Sequence, residues 1–366
     1  MSNRGKHRRW PTATLSCKPL DLWPPPDRAA WANATTVGSV LDPGGWASDW
    51  ASATLRKTVS DYGRWLAWLE TQGELDPSLT PGARATRERV AGYLNDQKSR
   101  LSSFSVQANL QGLGDALRVM TETQVFGWVT RGAARLRTHA TSTKKKRQKL
   151  KPSDKLVDLG LNLMDEADCL SEADMPAAAL QFRNGLIIAL LAYCPLRAKN
   201  LAAITLGQHL AKRGGMWWLI FPAEETKQRR PLETPFPASL GAALERYLAE
   251  YRPALTAKGA HRGSAGNALW ISQDGGALTT FGISQAICRL TKAAFGSHIN
   301  QHLFRDCAAT MIAIDDPDHV HIIPAILGHS SMATSERHYN QARSLEAGRR
   351  YHATLGAVRA NKRRAV

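Results

Sequence analysis

The sequence predicts a mainly α-helical protein with one small antiparallel β-sheet, divided into two helical domains. Three observations carry that expectation. Apolar residues recur at helical spacing through Trp50, Leu55, Val59, Tyr62, Leu66 and Leu69, and again through Leu180, Phe182, Leu186, Ile187, Leu190 and Leu191. The run 216–222 has the aromatic, apolar composition of a strand, ends in proline and is followed by a second extended piece. Between the helical regions lies Lys144-Lys145-Lys146-Arg147-Gln148-Lys149-Leu150-Lys151-Pro152, which has no apolar periodicity and reads as a solvated basic linker.

Each element follows in order. Residues 1–44 are rich in Pro, Gly, Trp and basic residues, with Pro24-Pro25-Pro26 and Pro43-Gly44-Gly45 as breakers. They read as a basic N-terminal arm, poorly ordered or strapped against a domain, rather than a domain of their own. Residues 45–140 read as a small bundle of four helices. The first runs from Trp50. The second starts at Thr80-Pro81, an N-cap followed by proline at the first helical position, and continues as a basic amphipathic helix through Arg84, Arg87, Arg89, Val90 and Leu94. Two more fit 102–122 and about 125–138, completing a bundle. The linker occupies 141–154. Beyond it an apolar helix spans 176–193, the strand 216–222 follows, and a polar stretch 223–230 leads to the extended piece near 232–237. That makes a hairpin with Lys227 at or near its tip. Helices are expected at about 239–252, 279–296, 303–314, 321–327 and 332–340. The second domain then covers 155–350, with a basic tail at 351–366.

Composition narrows the class of function. The 366 residues suffice for two domains with separate cores, and 43% hydrophobic with 22% charged residues fits a globular protein. Forty-eight Lys and Arg against 31 Asp and Glu give a net charge of +17, and the pI is about 10.0. Such an excess implies a polyanionic partner, nucleic acid first and an acidic membrane surface second. The membrane reading is weak because basic residues are spread over both domains instead of along one amphipathic helix. No apolar run reaches the roughly 18 residues of a membrane span. The basic start, Met1 to Arg9, is followed by Trp10-Pro11 and polar residues instead of an apolar signal core, so the chain is expected to stay in the cytoplasm, on the nucleoid when bound to DNA. Cys17, Cys169, Cys194, Cys288 and Cys307 form no Cys-x-x-Cys pair, which argues against a zinc site and a disulfide framework. Cys194 and Cys307 read as small buried hydrophobes. His319 and His321 lack flanking ligands and read as loop residues.

The chemistry lies in the order Arg197, Lys227, His302-Leu303-Phe304-Arg305, Leu327-Gly328-His329 and Tyr339. Two arginines match two non-bridging phosphate oxygens with fixed forks of donors that stay charged at any working pH. A lysine on a hairpin tip can protonate a leaving oxygen, and a tyrosine can become a covalent nucleophile once its proton is drawn off. Three residues separate His302 from Arg305, so on a helix they share a face. Gly328 before His329 fits a helix end and a tight turn.

The segments Pro195-Leu196-Arg197, His302-Leu303-Phe304-Arg305 and Leu327-Gly328-His329, with Tyr339 behind them, resemble the tyrosine recombinases, or phage-integrase family. The resemblance is specific over about 179–345 and only topological over 45–140. It implies a helical core-binding (SAM-like) domain followed by an α+β catalytic domain, the two clamping a DNA duplex. It also implies catalytic roles for Arg197, Lys227, His302, Arg305, His329 and Tyr339, and a site-specific recombinase or integrase that works through a 3′-phosphotyrosyl intermediate, without metal or cofactor, as a homotetramer on double-stranded attachment sites. A directionality or DNA-bending accessory factor and a mobile element would accompany it. Arg84, Arg87, Lys144, Lys145, Lys146, Arg147, Lys149, Arg229 and Arg230 are candidate DNA contacts, and Arg229 rivals Lys227 as the general acid. Two departures stand out. Tyr339 follows His329 by one residue more than is usual, with His338 in the usual place, and Asn200 stands where relatives carry an acid. The alternatives are a type IB topoisomerase-like relaxase and a catalytically silent architectural protein on the same fold.

Overall fold

In the computed structural model of this chain, residues 16–121, 126–140, 149–170, 174–257, 265–315, 322–323 and 354 are described. The chain divides into two compact units, Met1–Lys145 and Lys146–Val366. Over the described residues it is mostly helical with one three-stranded antiparallel sheet, the expected fold class.

The first unit contains α1 (Pro25–Thr35), α2 (Ser52–Thr71), α3 (Pro81–Arg84), α4 (Arg87–Arg100), α5 (Ser103–Met120) and α6 (Gly127–Thr138). Hydroxyls at Thr80, Thr86 and Ser102 cap α3, α4 and α5, each accepting from the amide three residues on. The apolar face of α2 places Tyr62, Trp65, Leu66 and Leu69 in a core shared with Tyr93, Leu110, Leu113, Leu117 and Val129. Trp65 and Trp68 stack at 5.5 Å, and Tyr93 meets both edge-on.

Two sequence expectations are corrected here. The N-terminal segment is no arm over residues 20–47. It forms a 3-10 turn (Leu20–Leu22) and α1, and buries Trp23, Trp31, Ala34 and Ala47 in the core of the bundle. Pro24-Pro25-Pro26 starts α1 instead of breaking structure, because prolines suit a first helical turn whose N–H groups have no partner anyway. The helix expected from Thr80-Pro81 is two helices. Ala85 leaves the helical region at φ −89°, ψ 67°, and Thr86 caps a new helix. The break turns Arg84 inward. Its guanidinium pairs with Asp27 of α1, and both side chains are fully buried. Nη2 donates to Asp76 O at 2.9 Å and Leu79 O at 2.6 Å, while Tyr62 Oη donates to Asp27 Oδ1 at 2.5 Å. Burial, then the charge of Asp27, holds the Tyr62 hydroxyl well above its usual range.

The second unit opens with α7 (Ser153–Asp168) packed on α8 (Met175–Tyr193). Helix α8 is apolar on nearly all sides, as a central helix must be, with Phe182, Leu186, Ile187, Ile188, Leu190 and Leu191 buried. Among the described residues it is the one helix long and apolar enough to cross a membrane, and most of it is covered by its own unit. A short α9 (Ala198–Ala202) follows. The sheet comprises β1 (Leu210–Arg213), β2 (Met216–Phe221) and β3 (Leu232–Pro235), with Leu219 opposite Leu210 and Thr234, and Phe221 opposite Leu232. Strand β1 was not expected from the sequence. Its short Leu-Ala-Lys-Arg run carries one buried residue.

Helix α10 (Gly241–Arg246) passes through a π-helical turn (Tyr247–Tyr251) into α11 (Arg252–Thr256). The wider turn precedes Pro253, which has no N–H to give an ordinary helix. Tyr251 Oη donates to Asp168 Oδ1 at 2.6 Å and Arg246 bridges to the same carboxylate, fastening this helix to the end of α7. Helices α12 (Thr280–Phe295) and α13 (Gln301–Asp315) complete the described part. Thr279 caps the first, and Gly296 closes it in the left-handed region at φ 69°. The helices expected at 321–327 and 332–340 lie outside the described residues, apart from 322–323, as do His319 and His321.

Arg84→Ala should cost the first unit about 3–5 kcal/mol, because it strands a buried carboxylate. Replacing Arg84 and Asp27 together by Met and Leu should cost much less. Urea unfolding of the single and double variants decides, and equal losses in both would remove the ion pair as the cause.

Candidate active site

Arg197 occupies the N-cap of α9, directly after the buried Pro195-Leu196 that ends the α8 segment. Arg305 lies one turn into α13, whose start is capped by Asn300: Leu303 N–H donates to Asn300 Oδ1 at 3.1 Å. Leu303, Phe304 and Cys307 of that helix sit in the core. Arg305 is 7% exposed, and its Nη1 donates to Pro195 O at 2.5 Å, two residues before Arg197. One carbonyl thus ties the two arginine-bearing segments together. Burial, and then the charge of Arg197, pushes the Arg305 guanidinium down to about 10, and burial lowers half-buried Arg197 as well. Both remain cations at neutral pH. Two neighbouring guanidinium groups in a partly dry place stabilise negative charge that builds up beside them.

Lys227 is exposed in the turn between β2 and β3, as the hairpin reading expected. The loop is braced at its base. Thr226 Oγ1 accepts from Arg230 N–H at 3.1 Å and lies 2.6 Å from Arg230 O, and Arg229 N–H donates to Thr226 O at 3.2 Å. Arg229 adopts φ 52°, and among the described residues no other non-glycine residue has a positive φ. Asn200 of α9, three residues after Arg197, donates from Nδ2 to Glu225 O at 3.5 Å. The base of the Lys227 loop therefore touches the helix that begins at Arg197.

His302 is exposed on the first turn of α13, three residues before Arg305. Structure thus brings together Arg197, Arg305 and the base of the Lys227 loop, with His302 one turn away. His329 and Tyr339 lie outside the described residues, as does Tyr351, which is too far along the chain from His329 to be preferred as nucleophile. Four other tyrosines are poor nucleophiles: burial raises Tyr62, Tyr93, Tyr247 and Tyr251, the last two to about 12. Tyr193 is exposed.

Among the candidate DNA contacts, Arg84 is corrected. It is fully buried on Asp27 and cannot reach a phosphate. Arg87 is exposed, with its guanidinium 4.9 Å over the Trp128 ring. Lys149, Arg229 and Arg230 are exposed, while Lys144, Lys145, Lys146 and Arg147 lie outside the described residues. Sequence reading passed over His209 and Glu225, which meet beneath the Lys227 loop at 2.7 Å. Only their fold neighbours reveal them, since neither lies in a recognisable motif. Cys307, read as a buried hydrophobe, is buried. Its thiol accepts from Lys151 N–H at 3.4 Å, and burial pushes it up to about 11; half-buried Cys194 is likewise raised to about 11.

A β-branched residue tolerates the left-handed region worst, so Arg229→Val should destabilise the second unit by about 1–2 kcal/mol relative to Arg229→Gly. Equal unfolding free energies for the two variants would show that the loop does not hold this conformation.

No protein-family profile matches the chain, and no curated protein matches it. Solved structures do. One is XerH site-specific recombinase bound to palindromic difH substrate in a post-cleavage complex, at 14% identity, covering 91% of this chain and 98% of that one, with a TM-score of 0.55. A second is XerH bound to difH substrate in a pre-cleavage complex, at 16% identity, covering 81% of this chain and 79% of that one, with a TM-score of 0.52. At such identities the likeness establishes the fold, which is that of a tyrosine recombinase structure.

Proposed function

We propose that this chain is a site-specific DNA strand transferase of the tyrosine recombinase type. One observation carries the reading: the Pro195 carbonyl joins Arg305 to the segment of Arg197, and Asn200 brings the Lys227 loop to the same helix. In this reading the two arginines hold the non-bridging oxygens of the scissile phosphate. Tyr339 Oη attacks phosphorus, the bond from phosphorus to the 5′-oxygen breaks, and Lys227 supplies the proton that the leaving oxygen takes up. His302 assists proton movement at the tyrosine, and His329 hydrogen-bonds a phosphate oxygen. The products are a 3′-phosphotyrosine and a free 5′-hydroxyl. Attack by a partner strand's 5′-hydroxyl expels the tyrosine, so the phosphoester bond is conserved through both steps. The two solved relatives carry difH substrates, which supports duplex DNA as the partner. A homotetramer passing through a Holliday junction, an accessory DNA-bending or directionality factor, and integration or excision of a mobile element complete the proposal.

Duplexes selected by the protein from a random pool, then nicked near the cleavage position, would trap the covalent intermediate. Wild type should form an adduct that maps to Tyr339, and Tyr339→Phe should bind equally and form none. An adduct on Tyr193 or Tyr351 would remove the nucleophile assignment. Binding without any adduct would leave an architectural protein. Arg197→Ala and Arg305→Ala should each slow adduct formation by about 10²–10³ while binding changes little, because their work is in the transition state.

A further inference from the structure

We infer that His209 and Glu225 are positioning residues that set the Lys227 loop against the helix of Arg197. The inference rests on the proton-donor role proposed for Lys227. His209 is 4% exposed, its ring stacked on Phe221 at 5.1 Å between centroids. Thr205 N–H donates to His209 Nδ1 at 3.2 Å, with Thr205 Oγ1 at 2.7 Å from the same atom. A ring nitrogen that accepts a backbone N–H carries no proton itself, so the proton is on Nε2. Nε2 donates to Glu225 Oε2 at 2.7 Å, and Gln208 Nε2 reaches Glu225 Oε1 at 3.4 Å. The imidazole is thereby a rigid spacer between the backbone ahead of β1 and the carboxylate two residues before Lys227.

The main chain strengthens the same link. His209 O accepts from Ile220 N–H at 2.8 Å, so the residue that holds Glu225 also belongs to the strand pairing that leads into the loop. Glu225 faces two ways: its carboxylate goes to His209, and its carbonyl accepts from Asn200. One residue therefore connects the sheet, the Lys227 loop and α9. Lys227 itself is exposed, so nothing in its own packing holds it in reach of a leaving oxygen. A proton donor displaced by an ångström loses most of its effect, which gives the bracing beneath it a catalytic consequence. The charge of Glu225 is not what is needed; its acceptor oxygen is.

The test uses the full chain on its selected duplex, in two versions. One has the natural 5′-oxygen at the cleavage position and the other has sulfur, whose thiolate leaves without a proton. Glu225→Ala and His209→Ala should slow cleavage of the oxygen duplex by about tenfold to a hundredfold, less than the roughly 10²–10⁴ of a proton donor lost outright, because the lysine is displaced and not removed. Both should cleave the sulfur duplex within about threefold of wild type, as Lys227→Ala should, because chemistry there no longer needs the acid. Glu225→Gln keeps an acceptor for His209 Nε2–H and should retain most of the activity on the oxygen duplex. If Lys227→Ala is rescued by sulfur while Glu225→Ala and His209→Ala remain equally slow on both duplexes, the pair supports the fold only and the inference is wrong. If Lys227→Ala is not rescued, the acid assignment itself fails and the pair loses its role with it. Should His209→Ala unfold, Glu225→Ala and Glu225→Gln decide alone, since Glu225 is partly exposed.

Discussion

The second unit depends on the close approach of α7 and α8. A Cβ at Gly160 would lie 2.7 Å from Gly185 O and from Ala189 N, and a Cβ at Gly185 would lie 2.6 Å from Gly160 O. No side chain fits in that space. The two backbones meet there, and α8 becomes the axis on which the rest of the unit packs. Its far end delivers Pro195, Leu196 and Arg197, and α13 rests on both helices before returning Arg305 to the Pro195 carbonyl. The placing of Arg197 and Arg305 thus depends on two residues with no side chain. Glycine at mid-helix is intrinsically unfavourable by about 1 kcal/mol, so its presence at both contact points marks packing as the stronger demand.

Polar groups in the two units are used for different ends. In the first unit Asp27, Arg84 and Tyr62 neutralise one another in the core, and the network fastens α1 to the α3 turn. In the second, burial lowers both Arg305 and Arg197, the charge of Arg197 lowers Arg305 further, and His209 is held in one tautomer by a backbone amide. The first arrangement is internally balanced. The second sets two cations in one neighbourhood of the fold, where an anion is favoured.

Much of the fold was legible because helices announce themselves by period and by caps. The period of α2, the continuous apolar run of α8, the hydroxyl caps Thr80 and Thr279, and the aromatic strand β2 all lie in local sequence. What escaped was decided at long range. Nothing near Arg84 says that an aspartate more than fifty residues earlier will draw it inward, and its basic neighbours suggest a solvent-facing helix. Strand β1 is short and polar, and becomes a strand only because β2 lies beside it. The site divides along the same line. Arg197, His302 and Arg305 stand in motifs, whereas His209 and Glu225 matter only through contacts made by folding, and no local pattern contains them.

The docking of α1 bears on how the protein can be cut into pieces. Composition suggests starting a minimal fragment of the first unit after the proline- and glycine-rich segment, at the first long helix. Such a fragment would uncover the aromatic seat of Trp23 and Trp31 and leave a guanidinium in the core without its carboxylate. A tag or fusion joint inserted between Trp23 and Ala47 would act on the same seam. The first unit begins, for any practical division of the gene, ahead of Lys18, whose ammonium is bonded to Glu70 and whose carbonyl receives the Trp23 indole.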